Sequence, residues 1–211
     1  MCGAQGPAPC ERCAAELRPA PSLPAPPGVG GCTALLAYDG AGRELVARLK
    51  YRNARSSVPF LARGMAAILR AEVDTPGGLP GIDVVTWAPT TPARRRARGF
   101  DQARLLARAV ARELGVPCRP LLRRQPGPAQ TGRDAAARHA GPAFSSLRPV
   151  PGRRVLLVDD VVTTGATVAA AAQALRAAGA GEVHVVAAAR TPPTRGHVHS
   201  AMPATRSQRW T

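Results

Sequence analysis

Residues 155–168, VLLVDDVVTTGATV, constrain this chain more than any other stretch. Val155, Leu156, Leu157 and Val158 read as a buried strand, and Asp159 and Asp160 fall at its carboxyl end, the edge at which open α/β sheets bind ligands. Thr163 and Thr164 follow, then Gly165, which can adopt unusual backbone angles, then Ala166 and Thr167 at the start of an alanine-rich helix. Such a turn aims backbone N–H groups, hydroxyls and the positive end of a helix dipole at one spot, which suits a phosphate dianion. The paired carboxylates beside it suit ribose hydroxyls, held directly or through a hydrated Mg²⁺. A strand ending in Asp-Asp also occurs in receiver-type metal-binding domains, and a glycine at such a turn can be purely structural. Neither alternative accounts for the hydroxyls in one register. Asp159, Asp160, Thr163, Thr164, Gly165, Ala166 and Thr167 are therefore candidate contacts for a ribose 5-phosphate, with the two aspartates as catalytic candidates.

The same grammar extends along the chain. A helix over residues 166–178 capped by Gly179, and a strand over 183–189, complete a parallel right-handed βαβ unit. Earlier, DVVTW at 83–87 is a second apolar strand, and QARLLARAVAREL at 102–114 has helical periodicity that Gly115 stops. Two more helices are expected between residues 41 and 73. The fold class is α/β, a parallel sheet flanked by helices. With aromatic residues at only 3%, its core must be built from Ala, Val and Leu. Residues 1–18 carry Cys2, Cys10 and Cys13, residues 19–32 are a Pro/Gly-rich linker, 33–190 the main domain, and 191–211 an aperiodic tail expected to be disordered. The polar stretch from 121 to 144 reads as a long mobile loop, either a functional lid or plain surface.

The net charge of +16 raises the question of polynucleotide binding. Lys50 is the only lysine, and the arginines are scattered among alanines, so a solvated surface with some phosphate-binding arginines stays open beside it. Three Phe, two Tyr and two Trp leave few stacking platforms for single strands. No apolar run approaches the roughly 20 residues of a membrane span. The start MCGAQGPAPCERC has no secretory character, so a cytoplasmic location is expected. Without oxidising export, the five cysteines point to metal or free thiols and away from disulfides. Cys118 reads as a small buried hydrophobe, and His184, alternating with Val183 and Val185, as structural.

VLLVDDVVTTGAT closely resembles the phosphoribosyl pyrophosphate signature of type I phosphoribosyltransferases. The resemblance narrows with Tyr38-Asp39-Gly40 and Arg43, Leu49-Lys50-Tyr51-Arg52, RRRARGFDQARLL at 94–106, Gln130, Arg138, Ala143-Phe144 and Ala189-Arg190, which look like the ComF (ComF/GntX) family over residues 33–190. That resemblance implies the type I phosphoribosyltransferase fold with a small cysteine-bearing arm. It implies phosphoribosyl pyrophosphate with Mg²⁺ as ligand, Asp159 and Asp160 on the ribose hydroxyls, and residues 163–167 around the 5-phosphate. Pro89 and Thr90 would lie in the pyrophosphate loop, with Arg96, Arg98 and Gln102 near it; as an alternative, the arginine cluster is a solvated loop or a nucleic-acid contact. Arg124, Gln130 and Arg138 would belong to a hood over the reacting centre, although Ala140 stands where many relatives carry Asn. Relatives commonly begin with a four-cysteine zinc ribbon, which makes Cys2, Cys10 and Cys13 an incomplete zinc site whose first cysteine would precede Met1, or for which Cys32 would substitute. Two functions follow: transfer of ribosyl phosphate to an unknown acceptor, or a competence-type DNA-uptake factor that binds single-stranded DNA or a partner helicase.

Overall fold

A computed structural model describes residues 8–49, 56–73, 81–125 and 142–192. Its elements in chain order are α1 (Glu11–Ala15), β1 (Gly31–Ala37), α2 (Gly40–Arg48), α3 (Val58–Val73), β2 (Val84–Trp87), α4 (Pro92–Arg98), α5 (Gln102–Leu114), β3 (Leu122–Arg124), β4 (Phe144–Ser146), β5 (Arg154–Val162), α6 (Ala166–Ala177) and β6 (Glu182–Arg190).

Four strands form a sheet in the order β1-β6-β5-β2, with every neighbouring pair parallel. Parallel strands buried on both faces need apolar residues at successive positions, which is what the Val- and Ala-rich runs of β5 and β6 provide. Alternation then assigns the faces. Val155 and Leu157 join Val168, Ala171, Ala172 and Leu175 of α6 in one core cluster. Leu156 and Val158 point the other way, into a larger cluster with Leu45, Val46, Leu61, Met65, Leu69, Leu106 and Val110 from α2, α3 and α5. The helices lie where their apolar stripes lead: α5 buries Leu106, Ala107, Val110 and Ala111, then stops at Gly115 in the left-handed conformation at φ 71°.

Three differences from the sequence expectations matter for the site. First, β5 does not end before Asp159 but continues through Asp159 and Asp160 to Val162, because β6 pairs with it to the end, Asp159 with Ala187 and Val162 with Arg190. Second, the arginine segment is helical over Pro92–Arg98. Thr91 caps it by accepting from the Arg94 N–H at 3.2 Å, and Pro92 occupies the first turn, where its missing N–H costs nothing. Third, β1 starts at Gly31, two positions before the expected domain start, and the Pro/Gly-rich stretch ahead of it lies along the domain. Ala20 donates to the Leu35 carbonyl at 3.2 Å, and Gly30 donates to Val183 at 2.9 Å. The roots of the long polar loop are ordered too, as the antiparallel pair β3 and β4.

Candidate functional site

The carboxyl ends of β2 and β5, the starts of α5 and α6, Arg94 of α4 and Arg124 of β3 enclose a cleft of about 260 Å³. Its walls include Tyr38, Pro89, Thr90, Arg94, Asp101, Gln102, Arg124, Asp159, Asp160, Thr163 and Thr167.

Two aspartates form its floor. The Asp160 N–H donates to Asp159 Oδ1 at 2.9 Å, and the Val161 N–H donates to Asp160 Oδ1 at 3.0 Å, so each carboxylate is turned back on the next peptide and held. Asp159 is 8% exposed. Burial, reinforced by the adjacent Asp160 and more weakly by Asp101, holds its pKa well above the usual carboxylate range. Asp101 is a third buried acid on the wall. Its Oδ2 accepts from the Thr90 N–H at 3.0 Å and its Oδ1 from the Arg104 N–H at 3.3 Å, so one side chain ties the turn after β2 to the start of α5. Burial also pushes the Asp101 pKa up, against those N–H bonds. Opposite the acids stands Arg124, which lies over the Phe144 ring at 5.5 Å. Burial and the neighbouring Arg94 pull its pKa down, while Asp159 opposes them. Acids and guanidiniums facing across one small cleft suit a ligand with both hydroxyl or cation-borne positive character and phosphate oxygens.

Beside the floor, the turn of residues 163–167 leads into α6. Gly165 sits at φ 81° as the N-cap and supplies no side-chain cap to the helix. Thr164 Oγ1 accepts from the Ala166 N–H at a long 3.4 Å. Thr163 and Thr167 reach the cleft, whereas Thr164, Gly165 and Ala166 stand in the turn between them.

Of the expected pyrophosphate-side residues, Pro89, Thr90 and Gln102 line the cleft. Arg96 does not: it is exposed on α4, and Arg94, two residues earlier on the helix, takes the place expected for it. The Arg98 side chain, Gln130, Arg138 and Cys2 lie outside the described residues. Cys10 stands at the N-cap position of α1 without a side-chain cap bond, and Cys13 is buried one turn on. Cys32 sits half-buried in β1, where burial raises its thiol pKa. Among the described residues, which do not include Cys2, no three His, Cys, Asp or Glu side chains gather closely enough to hold a metal. Cys118 is half-buried rather than buried, and burial raises its thiol pKa as well. His184 is buried beside Glu182, its Nε2 2.8 Å from Oε1, which agrees with a structural role. Asp101 and Arg94 were the residues missed. Asp101 directly ahead of an apolar helix carried a capping signal, and Thr91-Pro92 carried the start of the helix that bears Arg94.

A second cleft of about 560 Å³ shares Pro89, Thr90 and Asp101 with the first, and its lining includes Trp87, Arg95, Phe100, Arg104 and Arg108. Arg104 lies over the Trp87 ring at 5.7 Å. Among the described residues, no helix is long and apolar enough to cross a membrane.

The sequence matches the Phosphoribosyl transferase domain over residues 101–205. It is 36% identical over 152 residues to DNA utilization protein YhgH of Salmonella typhi, covering 70% of this chain and 66% of that one, just under two thirds of the relative's length. It is 31% identical over 188 residues to DNA utilization protein YhgH of Escherichia coli K12, covering 87% of this chain and 78% of that one. Adenine phosphoribosyltransferase of Clavibacter michiganensis is 40% identical over 129 residues, 59% of this chain and 66% of that one. The domain match falls on the strand, turn and helix that form the aspartate floor and the threonine turn, and the relatives extend it over most of the chain, so the chain belongs to the ComF family of phosphoribosyltransferase-like proteins.

Proposed function

We propose that the cleft binds phosphoribosyl pyrophosphate with Mg²⁺ and that the chain transfers its ribosyl phosphate to an acceptor. The observation that carries this reading is the meeting of Asp159 and Asp160 with the uncapped turn of α6 in one cleft, with Arg94 and Arg124 across from them. Asp159 and Asp160 would hold the ribose hydroxyls. Thr163, Thr167 and the N–H groups from Thr164 to Ala166 would take the 5-phosphate, and Arg94 with the Pro89-Thr90 turn the pyrophosphate end. The raised pKa of Asp159 fits a cation site, because a divalent ion nearby relieves the repulsion that burial and Asp160 create. When bound, Mg²⁺ supplies positive charge that neutralises the leaving pyrophosphate. The remaining work is the chain's own: fixing the ribose by two carboxylates that backbone N–H groups already orient, and gripping both phosphate ends so that C1 faces the acceptor. No side chain has to form a covalent intermediate.

Calorimetry of the purified chain with phosphoribosyl pyrophosphate and Mg²⁺ tests this. Binding that disappears in Asp159→Ala/Asp160→Ala supports the reading; no binding, or the same binding in the double variant, ends it.

A second reading is favoured by the larger cleft, where Trp87 and Phe100 lie among Arg95, Arg104 and Arg108, a pairing of aromatic and cationic groups that suits single-stranded DNA. Salt-dependent retention of a fluorescent single-stranded oligonucleotide, weakened by Arg95→Ala with Arg108→Ala, supports it, and no retention at low salt rules it out. For the arm, Cys10 and Cys13 are proposed as two ligands of a structural zinc together with Cys2. Zinc content that survives Cys10→Ser with Cys13→Ser removes that proposal.

A further inference from the structure

Arg190 ends β6 and is only 6% exposed, yet it is assigned no part in the cleft. Its guanidinium reaches back across the sheet to the Pro/Gly-rich stretch. Nη2 donates to the Pro24 carbonyl at 2.8 Å, and Nη1 donates to the Leu23 carbonyl at 3.2 Å and the Cys32 carbonyl at 3.5 Å. Farther along, Arg176 of α6 donates through Nε to the Gly28 carbonyl at 3.0 Å, and the Gly30 N–H donates to Val183 at 2.9 Å. Residues 23–30 are thus strapped to the domain at both ends. Between the anchors lies Pro26, buried against Gly165: a Cβ placed on Gly165 would come within 2.6 Å of Pro26 Cγ. The strap backs the very turn whose Thr163 and Thr167 line the cleft.

The arrangement is a poor device for stability alone. Burying a guanidinium is costly, and Nε of Arg190 has no hydrogen-bond partner among the described residues. It is a good device for fixing position, since a proline-rich strand loses little freedom when held and Gly165 is the residue of the turn with the most freedom to lose. We propose that Arg190 and Pro26 are positioning residues that hold the turn of residues 163–167 in its phosphate-accepting form. This rests on the reading of that turn as the 5-phosphate site. Preorganisation lowers the ordering cost at binding, and coupling is reciprocal, so a phosphate in the turn must in turn steady the strap.

The experiment uses the full chain and ribose 5-phosphate as probe. Dissociation constants are measured for wild type, Arg190→Met and Pro26→Gly, and hydrogen exchange of the Val29 and Gly30 amides is followed with and without the sugar phosphate. The expected result is binding weakened about tenfold in both variants, a ratio typical of losing one ordered backbone residue, together with slower amide exchange in liganded wild type. A purely structural strap lowers thermal stability but changes neither the affinity of the folded fraction nor the exchange response to ligand. Wild-type binding with unchanged or tighter binding in the variants and no exchange response overturns the proposal alone. Failure of wild type to bind ribose 5-phosphate removes the reading beneath it. The exchange measurement on wild type decides the matter even if Arg190→Met does not fold.

Discussion

The two sides of the cleft are both built as a strand, a turn and a helix start, and they finish their helices in opposite ways. On the β2 side, Thr91 caps α4 and Asp101 caps α5, while Asp101 also holds the Thr90 N–H. One orphan donor at the start of each helix, the N–H of Arg94 and of Arg104, is thereby satisfied from within. On the β5 side, α6 begins at Gly165, which brings no side-chain cap, and the Ala166 N–H donates only at a long 3.4 Å to Thr164 Oγ1. The comparison separates a side completed by the protein from one left for a ligand. Under the proposed function, the phosphate that needs backbone N–H groups belongs at α6, and the β2 side acts through arginine and the fixed turn.

The largest effect that tests this difference is loss of the floor. Asp159→Asn with Asp160→Asn is expected to weaken phosphoribosyl pyrophosphate binding by at least about a hundredfold, the cost of losing charge-assisted contacts in a small cleft. Single Asp159→Asn separates function from stability. A carboxyl whose folded pKa is raised binds more protons in the fold than in the unfolded chain, over the window from the ordinary carboxylate value up to its folded value. Unliganded stability therefore falls as pH rises through that window, and the penalty is full above it. At neutral pH, Asp159→Asn removes the penalty and raises the melting temperature, by about 2–4 °C for each kcal/mol relieved, while binding is lost. Ligand affinity moves the other way with pH in wild type, rising as Asp159 ionises, because the ribose-bound or Mg²⁺-bound form must be charged. Calorimetry at pH values stepped upward from the ordinary carboxylate range reads both slopes.

Next in size is Gly165→Ala. The substitution forces an L side chain to φ 81° and drives its Cβ onto Pro26, so the turn must shift. Ribose 5-phosphate affinity is expected to fall about five- to thirtyfold, as strain of roughly 1–2 kcal/mol is relieved by opening the turn. An unchanged dissociation constant would mean that α6 does not hold the phosphate, and the contrast between the two sides would fail.

Sequence pattern made the β5 side legible almost residue by residue, because a buried strand, two acids and a hydroxyl-rich glycine turn are all local signals. The parallel sheet and the helix stopping at Gly115 were legible for the same reason. What escaped was long-range pairing. The extension of β5 to Val162 depends on β6 matching it, with Val162 paired to Arg190 far along the chain. The strap depends on Arg190 reaching residues 23 and 24, and nothing in either segment announces the other. The arginine run misled because four arginines in five positions read as charge, and charge alone does not say which of them, on the helix that Thr91 and Pro92 begin, lines the cleft.

Asp101 tests whether the β2 side is held by a cap or by a charge. Asp101→Ala removes the acceptor of two backbone N–H groups and is expected to cost about 1 kcal/mol, the usual worth of an N-cap, or some 2–4 °C in melting temperature. Asp101→Asn keeps one of the two acceptors and turns an N–H₂ donor toward the other N–H, while removing the ionised form that burial penalises, so its melting temperature should fall between those of Asp101→Ala and wild type. A loss in Asn equal to that in Ala would make the paired carboxylate oxygens, and not a single cap bond, the essential feature.

The smallest effect separates neighbouring arginines. Arg94 lines the cleft and Arg96 does not, though both lie on the exposed helix α4. Arg94→Ala is expected to weaken phosphoribosyl pyrophosphate about fivefold, the value of one partly exposed charge-assisted contact, and to leave ribose 5-phosphate unchanged. Arg96→Ala should alter neither. The ratio of the two ligands' affinities is the informative quantity, because a general loss of positive field weakens both and a misplaced turn weakens the sugar phosphate first. Equal effects of the two arginine variants on both ligands would mean that α4 contributes only diffuse charge, and that the β2 side has no pyrophosphate contact of its own to set against the α6 turn.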